Sequence, residues 1–205
     1  MTARKILVLF AHPQIDRSIA NARLVKEVSN MEGVTFVDLY REYPRMEIDV
    51  DREQRRLEDH DVLVFQHPLF WYSTPAILKE WQDLVLEFGW AYGSHGQALK
   101  GKLFLSAITT GGDREAYSAK GYQQFDIREL LRPVEQTANL CHMTFLPPFV
   151  LYAAGHAVEE GRLEPHANSY SALLAALRDD RLNVSEALKR HTLDQNLDEL
   201  IGEDG

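Results

Sequence analysis

The chain has 205 residues, and its 22 lysines and arginines against 31 aspartates and glutamates give a formal charge of −9. That length suits one α/β domain, and a hydrophobic content of 45% can bury a core without disulfide or metal support. The acidic balance argues against a surface built to neutralise a nucleic-acid backbone, and no window reaches the roughly 18 apolar residues of a membrane-spanning helix.

Met1, Thr2, Ala3, Arg4 and Lys5 lead straight into a strand-like run that is too short for a signal peptide, so a cytoplasmic protein is expected. The single cysteine, Cys141, cannot form an internal disulfide and fits a reducing compartment. Its apolar surroundings read as those of a buried structural thiol, with a redox nucleophile as the alternative.

Ile6, Leu7, Val8, Leu9, Phe10 and Ala11 form a continuous apolar run, the pattern of a parallel strand covered on both faces. A helix is predicted over 18–30, with Ile19, Ala22, Val25 and Val28 facing inward and Gly33 as its stop. A second strand follows over 34–39, a charged helix over 53–59 and a third buried strand over 62–65. Residues 75–88 read as a long helix: Ser73 and Thr74 are available as caps and Pro75 suits the first turn. Ile77, Leu78, Trp81, Leu84, Val85 and Phe88 recur there at helical spacing.

A fourth strand is predicted over 103–108 and a helical region over 127–141, which Pro133 should kink or divide. The fifth strand, 144–152, carries Pro147 and Pro148 near its middle. A helix over 168–178 closes the set. The alternation predicts an α/β fold, a doubly wound five-stranded parallel sheet with helices on both faces and its ligand crevice beyond the carboxyl ends of the strands. Residues 1–180 form this domain. Residues 181–205 read as an extension whose amphipathic helix, 185–201, packs on its own domain or on a partner.

Three loops lie at that edge. The first contains His12, Arg17, Ser18, Ile19, Ala20 and Asn21 and opens the first helix, where unpaired N–H groups and the helix dipole favour an anion such as a phosphate. Taken singly, Ser18 also reads as an ordinary N-cap. Neither G-x-G-x-x-G nor the P-loop motif occurs, so the loop is no dinucleotide or triphosphate cradle by motif. The second loop brings Leu69, Phe70, Trp71 and Tyr72, aromatics that suit a flat heterocycle and in isolation read equally as covers for the core. The third is Thr109, Thr110, Gly111 and Gly112, whose glycines let backbone N–H groups approach a ligand closely; a bare turn is the alternative. Together the three describe a site for a mononucleotide with a large planar ring, as in flavin mononucleotide (FMN).

At these loops the sequence resembles the flavodoxin-like NAD(P)H:quinone oxidoreductases, most closely the ancillary flavoproteins of bacterial glutathione-regulated potassium efflux systems. The matching pieces are Ala11-His12-Pro13, Ser18 to Asn21, Gln66-His67-Pro68 with Trp71-Tyr72-Ser73, Gly89-Trp90-Ala91-Tyr92-Gly93, Thr109 to Gly112 and Leu146-Pro147-Pro148-Phe149. The resemblance implies FMN, with FAD as the alternative flavin, its phosphate on the first loop and its ring between the second and third. It implies NAD(P)H as reductant and a two-electron, ping-pong reduction of quinones or related electrophiles. Tyr117 stands at the spacing of a tyrosine in mammalian quinone reductases and is the catalytic candidate, a packing tyrosine being the other reading; their nearby histidine has no match, its place falling near Gln123. A homodimer is implied, with the 89–96 stretch near its interface, and no metal site is expected. The alternative role is that of a redox-sensing regulatory subunit in peripheral contact with a membrane potassium efflux protein.

Overall fold

In the computed structural model, which describes residues 3–202, six strands form one parallel sheet. β1 (Ile6–Phe10) lies between β2 (Val34–Asp38) and β3 (Val62–Pro68), and β3 pairs in turn with β4 (Leu103–Thr109). The predicted fifth strand is two pieces. Pro147 and Pro148 supply no N–H to a ladder, so β5 (Thr144–Phe145) and β6 (Phe149–Leu151) are separate strands that pair with opposite ends of β4. β1, β3, β4 and β6 are buried along their whole lengths, as strands covered by helices must be.

α1 (Ile19–Val28) packs against α7 (Leu163–Arg178) on one face of the sheet. The other face carries α3 (Val50–Glu58), preceded by the short α2 (Leu39–Glu42), and α4 (Ala76–Val85). Each inter-strand crossover therefore places its next loop at the same edge, beyond Phe10, Pro68, Thr109 and Leu151. Between α3 and α4, the fully buried Glu53 carboxylate accepts bonds from Tyr43 Oη at 2.6 Å, Trp81 Nε1 at 2.9 Å and Arg56 at 2.5 Å. A charge in the core is tolerable only with such a set of donors.

Several boundaries and faces differ from the sequence expectation. α1 is rotated: Ala20, Asn21, Leu24 and Val28 face inward, Ala22 lies outside and Ile19 is 72% exposed. The Asn21 side chain sets this rotation by donating to Thr109 Oγ1 at 3.1 Å. α4 ends at Val85, three residues early, leaving Leu84 and Phe88 exposed, and neither Ser73 nor Thr74 caps it. Gly89, at φ +86°, then turns the chain. The 127–141 region divides as Pro133 requires, into α5 (Ile127–Leu130) and α6 (Arg132–Leu140). α7 begins five residues early, with Pro165 in its first turn.

The extension is not one helix. α8 (Val184–Ala187) and a 3-10 turn (Leu197–Leu200) flank irregular chain, yet Leu193, Leu197 and Leu200 are buried against the α1/α7 face of the sheet. Met1, Thr2 and residues 203–205, the outer ends of the two expected ranges, lie outside the described residues.

Candidate functional site

The four loops beyond β1, β3, β4 and β6 enclose a cleft of about 650 Å³. Parallel register builds it: Pro68 stands beside Thr109, Leu69 N–H donates to Thr109 O at 2.8 Å, and Thr110 N–H donates to Leu151 O at 2.9 Å.

At one end is the start of α1. Ser18 caps it, accepting from Asn21 N–H at 3.3 Å and from Asn21 Nδ2 at 3.0 Å. The second Nδ2 proton goes to Thr109 Oγ1, whereas the buried Asn21 Oδ1 has no partner. The N–H groups of the first helical turn, Ile19 and Ala20, have no intrahelical acceptor and lie in the cleft wall with Arg17, an arrangement that favours an anion. His12 is buried, and its Nδ1 accepts from Gln14 N–H at 3.1 Å, which assigns the ring proton of the neutral form to Nε2. Burial lowers the His12 pKa, opposed by the Asp38 carboxylate.

In the second loop, Leu69 and Phe70 reach the wall of the cleft. Phe70 and Ser73 exchange backbone bonds of 3.1 and 3.0 Å around a two-residue turn whose members, Trp71 and Tyr72, have φ of +48° and +63°. Such turns normally carry Asn-Gly, so this one is strained, by about 1–3 kcal/mol per residue. The turn lifts Trp71 to 91% exposure at its tip and outside the cleft wall. Tyr72 also stands outside the wall and donates to Gln123 Oε1 at 2.9 Å, tying the second loop to the chain beyond the third.

In the third loop, Thr109, Thr110 and Gly111 line the cleft. A Cβ added at Gly111 would meet nothing within 4 Å, so its bareness answers no packing need of the fold. Gly112 lies outside the cleft wall; a Cβ there would stand 3.2 Å from the Tyr117 ring. Tyr117 is likewise outside the wall, buried against Tyr152 with ring centroids 5.9 Å apart. Burial raises its pKa, which keeps the hydroxyl protonated beside Thr110 and Gly112.

Thus His12, Arg17, Ser18, Ile19, Ala20, Asn21, Leu69, Phe70, Thr109, Thr110 and Gly111 share one cleft, while Trp71, Tyr72, Gly112 and Tyr117 lie outside its wall. Sequence reasoning missed the fourth wall, Ala154, Gly155, Val158 and Glu159. The small residues Ala153-Ala154-Gly155 directly after the last strand were the available signal. Cys141 is buried, and desolvation pushes its thiol up to about 11, as befits a structural thiol.

Comparison with known proteins agrees with this arrangement. A family model described as a flavodoxin-like fold matches residues 4–174. The glutathione-regulated potassium-efflux system ancillary protein KefG of Serratia proteamaculans (strain 568) is 48% identical over 166 residues, 81% of this chain and 90% of KefG. General stress protein 14 of Treponema denticola, solved in complex with FMN, is 40% identical at a TM-score of 0.79, the match covering 84% of this chain and 99% of that one. An NADPH-quinone reductase from P. pentosaceus is 30% identical at a TM-score of 0.75, with 82% and 96% covered. Matched along most of its length and sharing the sheet order, the chain belongs to the flavodoxin-like fold family.

Proposed function

We propose that this chain is an FMN-dependent NAD(P)H oxidoreductase that reduces quinones or related electrophiles by two electrons. The observation that carries this reading is the convergence of an unpaired helix N-terminus, an apolar wall and a bare glycine loop on one cleft of suitable size. The Ile19 and Ala20 N–H groups, the Ser18 hydroxyl and the Arg17 guanidinium would hold the FMN phosphate. The unpartnered Asn21 Oδ1 offers an acceptor to a hydroxyl of the bound nucleotide. Leu69 and Phe70 would wall the ring and exclude water, with Trp71 and Tyr72 at the mouth, while backbone groups of Thr109, Thr110, Gly111 and Gly112 would meet its polar edge.

FMN held there would supply the two-electron redox chemistry between NAD(P)H and the acceptor. The protein's part is to orient these molecules, to place N–H donors where negative charge gathers, and to keep the Tyr117 proton behind the third loop. FMN titration followed by absorbance and fluorescence tests the binding. NAD(P)H oxidation with and without a quinone tests the turnover. Protein that fails to bind FMN overturns the reading, and binding without acceptor-dependent turnover overturns the enzymatic part.

The likeness to KefG supports a second role, peripheral contact with a membrane potassium efflux protein on the cytoplasmic side. Among the described residues no helix is long and apolar enough to cross a membrane, so contact would be through a partner. Co-purification with such a transporter, joined to weak turnover, would favour that role. A homodimer is part of the proposal, and sedimentation with FMN bound checks it.

A further inference from the structure

Directly after the third loop, Asp113 and Arg114 line a second cavity of about 510 Å³ together with Tyr152, Arg162, His166 and Asp194 among others. Backbone bonds tie Thr109, Thr110 and Gly112 to Leu69, Leu151, Ala153 and Ala154, and a polar set from the extension braces the chain just beyond Gly112. Arg114, two residues beyond Gly112, pairs with the Asp194 carboxylate and reaches the Thr192 hydroxyl at 3.4 Å. The same guanidinium lies over the Tyr152 ring, 4.4 Å from its centroid. Tyr152 packs on Tyr117, and the Tyr117 ring fills the space beside Gly112.

Asp194 is itself fixed. Its side chain is only 8% exposed, and neighbouring Leu193, fully buried, donates its N–H to Pro148 O at 2.9 Å, between β5 and β6. Asp194 also lies beyond residue 174, where the family match stops. A guanidinium gripped at one end by a buried carboxylate and resting on an aromatic face has one geometry, which lysine would not reproduce.

We propose that Asp194 is a positioning residue: acting through Arg114, Tyr152 and Tyr117, it holds the Thr109 to Gly112 loop at the register that the flavin ring and the acceptor require. The consequence for catalysis rests on the FMN reading above; the consequence for the loop does not. The chain Asp194, Arg114, Tyr152, Tyr117 couples a segment outside the family match to the ring-binding edge of the cleft.

The test compares wild type with Asp194→Asn, Arg114→Gln, the double variant, and Arg190→Gln, which breaks only the exposed Arg190–Glu199 pair of the same extension. Hydrogen exchange is read over residues 110–117 without flavin; the FMN dissociation constant, the bound-flavin absorption band and acceptor KM are read with it. Asp194→Asn and Arg114→Gln should each speed loop exchange and raise the FMN dissociation constant or acceptor KM roughly tenfold, mid-range for coupling between contacting residues. The double variant should be little worse than either single one, and Arg190→Gln should match wild type. Wild-type exchange and wild-type flavin parameters in a folded Asp194→Asn overturn the proposal. If wild type binds no FMN, the functional reading fails and loop exchange alone decides the positioning role. Should Asp194→Asn not fold, Arg114→Lys keeps the charge while losing the flat contact with Tyr152; unchanged loop exchange in that variant counts against the proposal.

Discussion

His67 makes the stability of this fold depend on pH in a calculable way. It lies on β3 next to Pro68 at the cleft and is completely buried. Its Nδ1 stands 2.9 Å from the Pro68 carbonyl, which can only accept, so Nδ1 carries the proton and Nε2 is bare. Nε2 has no partner, and protonating it would place a cation in the core with nothing to receive the new N–H. Burial accordingly pushes the pKa down to about 4 against an ordinary 6.5, the Pro68 bond opposing only in part. Between those values the unfolded chain binds a proton that the folded chain refuses. Stability contributed by the neutral ring is present above pH 6.5 and is lost as pH falls towards 4. The drop from 6.5 to about 4, at about 1.4 kcal/mol per pH unit, amounts to about 3 kcal/mol for this fully buried group.

Urea unfolding at a series of pH values between 7.5 and 4, for wild type and His67→Phe, measures it. The Phe variant keeps a flat ring without a titrating nitrogen, and the buried His166, also pushed down to about 4, is present in both proteins and cancels. Wild type should lose about 3 kcal/mol more than the variant across that range. Parallel curves, or an NMR titration of the His67 ring near 6.5, would refute the reasoning.

Ser18→Ala should cost about 1 kcal/mol through the lost cap, read by urea melts, and should also weaken FMN binding because the same hydroxyl faces the cleft. Gly111→Ala should leave thermal stability unchanged, since its Cβ enters open space, yet lower FMN affinity; Gly112→Ala, meeting the Tyr117 ring at 3.2 Å, should lower both. Glu53→Ala should destabilise by about 3–5 kcal/mol in urea, because it strands the buried Trp81 N–H and Tyr43 hydroxyl together with the Arg56 charge.

Much of the cleft was legible because the rule that places ligands beyond parallel strands needs only the strands to be found. The runs at Ile6, Val62 and Leu103 are apolar without interruption and could scarcely be anything else. Helix faces were harder. On α1 the sequence offered Ile19 and Val25 as well as Leu24 and Val28, and periodicity alone could not choose; the Asn21 to Thr109 bond, between residues 88 apart, chose. Ile19, which periodicity places in the core and position places in the cleft, is 72% exposed and lines the cleft. The Trp71-Tyr72 turn was illegible for a different reason: its left-handed geometry defies the local preferences by which turns are recognised, and the surrounding structure imposes it.

By itself the sequence determined the parallel α/β sheet, the division of the 127–141 helical region at Pro133 and the three loops at one edge, because these follow from local chemistry: unbroken apolar runs, a missing N–H and glycines after strands. Only the tertiary structure decided that Ala154, Gly155, Val158 and Glu159 form a fourth wall, that Trp71 and Tyr72 stand exposed outside the wall, and that Leu193, Leu197 and Leu200 return to their own domain without forming a continuous helix. Those outcomes depend on contacts between segments far apart in the chain, which local patterns do not fix; at the fourth wall the small residues Ala153-Ala154-Gly155 mark the loop but not what it faces.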